Sequence, residues 1–279
     1  MSWKENKPVR VAILDLYEGQ PNQGMRCLRE LLQEWAQHHE LALETVEFDV
    51  RQKLEVPDTS FDIYISSGGP GDPLVSRFED WDIAWVRWLD SIERYNKNPS
   101  NPQKKQVLFI CHSFQLACRY FNAGVLCKRR STAFGVFPVH MMEAGKLEPV
   151  FEGLKDPFYA VDSRDYQVIQ PNHEKLRAMG ASILSIEKSR PHVPYERAVM
   201  AIRFNEYMIG TQFHPEADAS GMSIYLQNEE KRKTVIESHG EAKLNSMLTQ
   251  LNDPDKIFWT HNHIVPNFLN QYSGQLIPV

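Results

Sequence analysis

Cys111 stands where an apolar run, Gln106 to Ile110 (QVLFI), gives way to a helical one, SFQLACRYF. A sharp strand-to-helix turn there would push the sulfur out of the carboxyl edge of a sheet, against a helix N-terminus that favours thiolate. A thiolate nucleophile needs a base, and the base needs a third group to orient it. His214-Pro215-Glu216 follows the apolar run MIGTQF, 214 − 111 = 103 residues downstream. Proline fixes the local chain, so that imidazole and carboxylate two residues apart point the same way, the acid supporting the imidazolium. Ser67-Gly68-Gly69-Pro70-Gly71 supplies glycines that let backbone N–H groups approach an oxyanion closely, as acyl transfer requires.

Other residues with chemical potential have plainer readings. Cys27, Cys118 and Cys127 form no C-x-x-C pair, and with Cys111 they make no disulfide framework in a chain of this length. Cys118 reads as helix core. His112 adjoins the nucleophile, but neighbouring residues at a strand-to-helix turn point apart. His261-x-His263 has no third ligand at matching spacing, so no metal site is expected. Lys128-Arg129-Arg130 reads as a solvated loop.

These residues need a scaffold. Val9 to Leu16 reads as a buried strand, and Gly24 to His38 as a helix with Met25, Leu28, Leu31, Leu32 and Trp35 on one face. Leu43 to Val50 and Asp62 to Ser66 are further strands, the second running straight into the glycine loop. Asp80 to Tyr95 is an amphipathic helix whose Trp81, Trp85, Trp88 and Leu89 face a core. Strands alternating with helices predict a parallel sheet with crossover connections. Four β-type segments lie between Ala133 and Met208, and from about Ser220 the chain turns polar and helical.

The 279 residues include 31 Lys+Arg and 36 Asp+Glu, a net charge of −5, with 42% hydrophobic residues. This is the composition of one large globular domain, or of one domain with an appendage. Nothing in the charge favours nucleic acid or an anionic membrane. No run approaches the ~18 to 20 apolar residues that span a bilayer. The stretch MSWKENKPVR holds no apolar signal-peptide core, which predicts a cytoplasmic protein.

The three motifs, in this order and spacing, resemble those of the class I (triad-type) glutamine amidotransferases, in the manner of a stand-alone GMP synthase-like amidotransferase domain. The resemblance runs over about residues 8 to 218 and is most specific at GTQFHPEAD. It implies a flavodoxin-like open, mostly parallel α/β sheet with helices on both faces. Residues 1–219 would form this domain and 220–279 a helical C-terminal extension packed on it. Cys111 would attack the side-chain amide of glutamine, His214 would shuttle the proton, Glu216 would orient His214, and water would hydrolyse a γ-glutamyl thioester. The N–H groups of Gly69 and His112 would hold the oxyanion, and Gln115, Ser163 and Arg164 would lie against substrate. No cofactor is implied. With no phosphate-loop motif and only some 60 residues after Glu216, ammonia would go to a separate synthetase protein. The residues leave two alternatives open: hydrolysis of another γ-glutamyl compound, or a non-catalytic relative that binds a partner.

Three positions depart from the family pattern. Phe109 and Ser113 replace the two elbow glycines, and Arg164 replaces a histidine beside Ser163. A bulky Phe109 is expected to constrain the elbow, leaving weak basal activity that rises when a partner docks near Gly69.

Overall fold

The structure is a computed structural model and describes residues 7–276 apart from 192, 228, 252, 254 and 255. Most of the stretch read for a signal core, residues 1–6, lies outside the described residues. The apolar run at the start forms β1 (Val9–Asp15), followed by α1 (Gln23–His38). Asn22 caps α1 by accepting the Gly24 N–H at 2.6 Å, and the expected face of Met25, Leu28, Leu31, Leu32 and Trp35 is buried. Next come β2 (Leu43–Asp49), β3 (Ile63–Ser66), α2 (Asp80–Lys97), β4 (Gln106–Ile110) and α3 (His112–Tyr120). The middle of the chain supplies β5 (Val125–Met141), the short α4 (Glu143–Lys146), β6 (Phe158–Ile169), α5 (His173–Met179), β7 (Ser182–Glu187), β8 (Val199–Asn205) and β9 (Met208–Thr211). Four helices end it: α6 (Ala219–Gln227), α7 (Glu229–His239), α8 (Glu241–Leu251) and α9 (Ile257–Leu276).

The strands form one sheet in the order β2-β1-β3-β4-β9-β8-β7-β5-β6. Pairings from β2 to β9 are parallel in the flavodoxin-like order, and the four beyond β9 are antiparallel. The inner parallel strands β1, β3, β4 and β9 are buried on both faces, hence their continuous apolar runs, whereas the edge strand β2 alternates. One face carries α1 and α9, with Leu28, Leu32, Val265 and Phe268 packed on Val11, Ile13, Ile65 and Ile110. The other carries α2, α3 and α5, with Trp85, Trp88, Phe114 and Leu176 packed on Leu14, Tyr64, Val107 and Phe109. A third cluster joins Leu226, Val235, Leu244 and Met247 of α6 to α8 with Val136 and Val161 of the β5–β6 hairpin.

The solvated-loop reading of Lys128-Arg129-Arg130 is corrected. All three residues belong to β5; Lys128 and Arg130 are exposed as expected, whereas the Arg129 side chain is only 6% exposed, paired with Glu187 at 3.2 Å. Charged residues hid the strand because their partner lies far along the chain. Among the described residues, no helix is long and apolar enough to cross a membrane.

Candidate active site

The carboxyl ends of parallel strands at a reversal of strand order are where open α/β sheets bind ligands. Here β1, β3, β4 and β9 deliver Tyr17, Gly69, Cys111 and His214 to one cavity of about 570 Å³. Cys111 turns the chain with φ 50° and ψ −100° between β4 and α3. A non-glycine residue rarely holds such a conformation unless its surroundings impose it. Its N–H donates to the Thr211 carbonyl of β9 at 2.7 Å, and its carbonyl accepts the Gln115 N–H at 3.1 Å. The turn also breaks strand alternation: Val107 and Phe109 pack in one core, whereas Leu108, Ile110 and Cys111 belong to the other.

That geometry corrects the expectation for Phe109. Its ring lies away from the Cys111 side of the sheet, fully buried against Trp85, Trp88 and Phe204. Its register partner on β9 is Gly210, where a Cβ would lie 3.3 Å from the Phe109 Cβ and 2.8 Å from the Phe114 ring. The neighbouring strand gives up volume where β4 takes it, so the elbow is not crowded.

Beyond β9, the His214 N–H donates to the Val161 carbonyl at 2.8 Å, pinning the segment to β6. Its Nδ1 lies 2.9 Å from Oε1 of Glu216, whose side chain is 1% exposed. A carboxylate only accepts, so Nδ1 carries the proton and the other ring nitrogen is left for the thiol. Burial opposes charge on His214. The charges of Cys111 and Glu216, with hydrogen bonds to both side chains, outweigh it and raise the His214 pKa well above its ordinary value.

The glycine loop passes directly over this pair. A Cβ at Gly68 would fall 2.8 Å from His214 Cε1, and one at Gly69 only 2.3 Å from the Leu16 carbonyl oxygen. Gly69 and His112 line the cavity beside Cys111. The His112 imidazole, however, is buried near Trp81, with ring centroids 6.0 Å apart. Burial, with the charges of Arg51 and Arg119, lowers its pKa to about 3, so it is neutral and no second base.

Gln115 lines the cavity and donates from Nε2 to Gln212 Oε1 at 3.0 Å, while Gln212 Nε2 lies 3.8 Å from the Cys111 sulfur. Ser163 is exposed in the cavity, and its carbonyl accepts the Cys111 thiol at 3.6 Å. Arg164 also lines the cavity. Its side chain is 1% exposed, with Nε 3.0 Å from both Asp162 oxygens and Nη2 3.5 Å from Glu187. Its hydrogen bonds are spent inside the protein, and what reaches Cys111 is its charge.

Tyr17, Gln212 and the α6 residues Met222 and Ile224 were not singled out from the sequence, although Tyr17, Met222 and Ile224 line the cavity. A signal existed for Tyr17, which directly follows the strand next to the glycine-loop strand. The expectation for His261 and His263 is refined: His261 Nδ1 donates to the Glu216 carbonyl at 2.8 Å and His263 Nδ1 to the Trp259 carbonyl at 2.8 Å. Among the described residues, no group of three or more His, Cys, Asp or Glu is arranged to hold a metal ion.

A difference among thiols follows. Burial, then the Asp218 charge, pushes Cys27 up to about 12, and burial raises Cys118 well above its usual value. Brief treatment with an electrophilic glutamine analogue is therefore expected to label Cys111 first, as read by peptide mass spectrometry. An adduct forming first on Cys27, Cys118 or Cys127 would remove Cys111 from its assigned place.

The sequence pattern of the family described as glutamine amidotransferase class-I matches residues 25–232. No curated protein matches the chain significantly by sequence. Among solved structures, the fold is similar to a glutamine amidotransferase from Thermotoga maritima, at 15% identity and TM-score 0.66, covering 95% of this chain and 98% of that one. It is similar to a GMP synthase-type protein from Thermoplasma acidophilum, at 16% identity and TM-score 0.50, covering 85% and 98%. A third is the glutaminase domain of CTPS from Trypanosoma brucei with bound acivicin, at 17% identity and TM-score 0.53, covering 77% and 88%.

Proposed function

The chain belongs to the class-I glutamine amidotransferases, and from that membership we propose that it hydrolyses the side-chain amide of glutamine through Cys111, His214 and Glu216, releasing ammonia for a separate acceptor protein. The observation that carries this reading is the 2.9 Å contact of His214 Nδ1 with the buried Glu216 carboxylate, in the same cavity that Cys111 lines.

In this mechanism the Cys111 thiolate attacks the amide carbon, and the N–H groups of Gly69 and His112 receive the oxyanion. The His214 imidazolium gives its proton to the leaving nitrogen, and ammonia departs. His214 then takes a proton from the water that attacks the γ-glutamyl thioester, freeing glutamate and restoring the thiolate. Glu216 stays ionised throughout and holds the imidazole orientation. Gln115, Ser163 and Arg164, which all line the cavity, are assigned to contact the substrate. Residues 1–219 are taken as the amidotransferase-like domain and 220–279 as a helical extension packed on it. Likeness to the GMP synthase-type protein supports a synthetase as acceptor.

One observation favours a second reading, hydrolysis of a larger γ-glutamyl amide. Met222, Ile224 and Phe134 give the cavity an apolar side that a primary carboxamide does not need. Ammonia or amine release by the purified chain, from glutamine and from a panel of γ-glutamyl amides, separates the two. Turnover of glutamine, alone or on addition of a synthetase, is the expected result. Turnover of substituted amides without glutamine would shift the assignment to the second reading. Silence throughout, with an unreactive Cys111, would overturn both.

A further inference from the structure

We propose that Ser113 is a positioning residue that holds the oxyanion loop at its working distance from the nucleophile. The proposal rests on the hydrolytic reading above. Ser113 lies two residues beyond Cys111, where the family's elbow pattern has a glycine, and its side chain joins an unbroken line of buried hydrogen bonds. The Trp85 indole N–H donates to Ser66 Oγ at 2.9 Å. Ser66 and Ser113 hydroxyls are 2.7 Å apart, and Ser113 Oγ donates to the Ser67 carbonyl at 2.5 Å. Indole N–H only donates, a carbonyl only accepts, and each hydroxyl has one proton, so the line runs in one direction from Trp85 to Ser67. Every member is at most 1% exposed. Bonds in such a dry series polarise one another, and each group would be costly to leave alone.

The end of the line is what gives it a role. Ser67 immediately precedes Gly68 and Gly69. Its own hydroxyl accepts the Leu16 N–H at 3.0 Å and donates to the Gly68 carbonyl at 2.8 Å. The Ser113 bond therefore ties the first turn of α3, which begins beside Cys111, to the loop that carries the Gly69 N–H. A glycine at 113 could not make this tie. Ser66, Ser67 and Ser113 do not line the cavity, so their effect on substrate is indirect. Loss of the Ser113 hydroxyl frees the Ser67 carbonyl and lets the loop relax by a fraction of an ångström. Displacements of that kind cost transition-state stabilisation more than ground-state binding.

The experiment compares Ser113→Ala and Ser113→Thr with the unaltered chain, using the γ-glutamyl amide it turns over best. It reads kcat, KM and the rate of Cys111 alkylation by iodoacetamide, a displacement that builds no tetrahedral oxyanion. Ser113→Ala is expected to lower kcat ~10- to 100-fold, with KM and alkylation rate within about twofold, and Ser113→Thr to restore most of kcat. If Ser113→Ala does not fold, Ser113→Gly, the residue of the family's elbow pattern, removes the same bond to the Ser67 carbonyl and is expected to give the same split. An unchanged kcat, or alkylation falling in step with kcat, would overturn the positioning role while leaving the hydrolytic reading intact. An unaltered chain that turns over no amide would overturn both.

Discussion

Cys111→Ala is expected to abolish amide hydrolysis, with a fall of roughly 10⁴-fold or more and no change of fold. Nothing else in the cavity can form the thioester: Cys27, its other thiol, is held protonated by burial and by Asp218. His214→Ala is expected to approach the same loss, because both proton transfers pass through one imidazole. Glu216→Gln is expected to fall less, by about 10²- to 10³-fold. Its amide oxygen can still accept from Nδ1, but Oε2 of the native carboxylate has no hydrogen-bond partner among the described residues, so none of them would fix which way the amide faces. Steady-state ammonia release across the three variants checks the order. Near-complete activity in a Glu216→Ala protein would break the assignment of the carboxylate.

Phe109→Gly is expected to destabilise the protein by ~3 to 5 kcal/mol, enough to consume much of a typical folding free energy of about 5 to 15 kcal/mol. The ring is fully buried and meets Trp85 and Phe204 at centroid distances of 5.9 Å each and Trp88 at 6.5 Å. Gly210 opposite it has no side chain with which to fill the space, and glycine adds the entropy cost of a freer strand. Chemical denaturation gives the measurement, the midpoint dropping without a gain in the residual rate of the folded fraction. A variant of unchanged stability but altered rate would mean that residue 109 acts on the elbow after all.

Much of the candidate site was legible because each part is local. Cys111, His214-Pro215-Glu216 and the glycine loop each sit at the end of an apolar run, and parallel strands bring such ends to one edge. What stayed hidden depends on pairing across long stretches. Arg129 looked solvated because its carboxylate partner Glu187 lies 58 residues away on β7. Phe109 looked obstructive because the adjustment at Gly210 is visible only once β4 and β9 are placed side by side. Ser113 looked like a mere small residue, since its acceptor lies 46 residues earlier.

The seat of α9 bears on how the chain is made. Its Val265 and Phe268 share a core with Val11 and Ile13 of β1, and Asn270 accepts the indole N–H of Trp35 at 3.0 Å. Residue 257, where α9 starts, emerges 257 − 9 = 248 residues after β1 begins. At synthesis rates of about 5 to 20 residues per second that is a wait of roughly 12 to 50 s. Through that interval the part of the β1–α1 core that α9 will cover stays exposed. Because His261 of the same helix holds the Glu216 carbonyl, the nascent chain also lacks one support of its candidate acid until α9 has emerged. The α9 side of β1 and α1, made first, is thus among the last surfaces of the sheet to be covered.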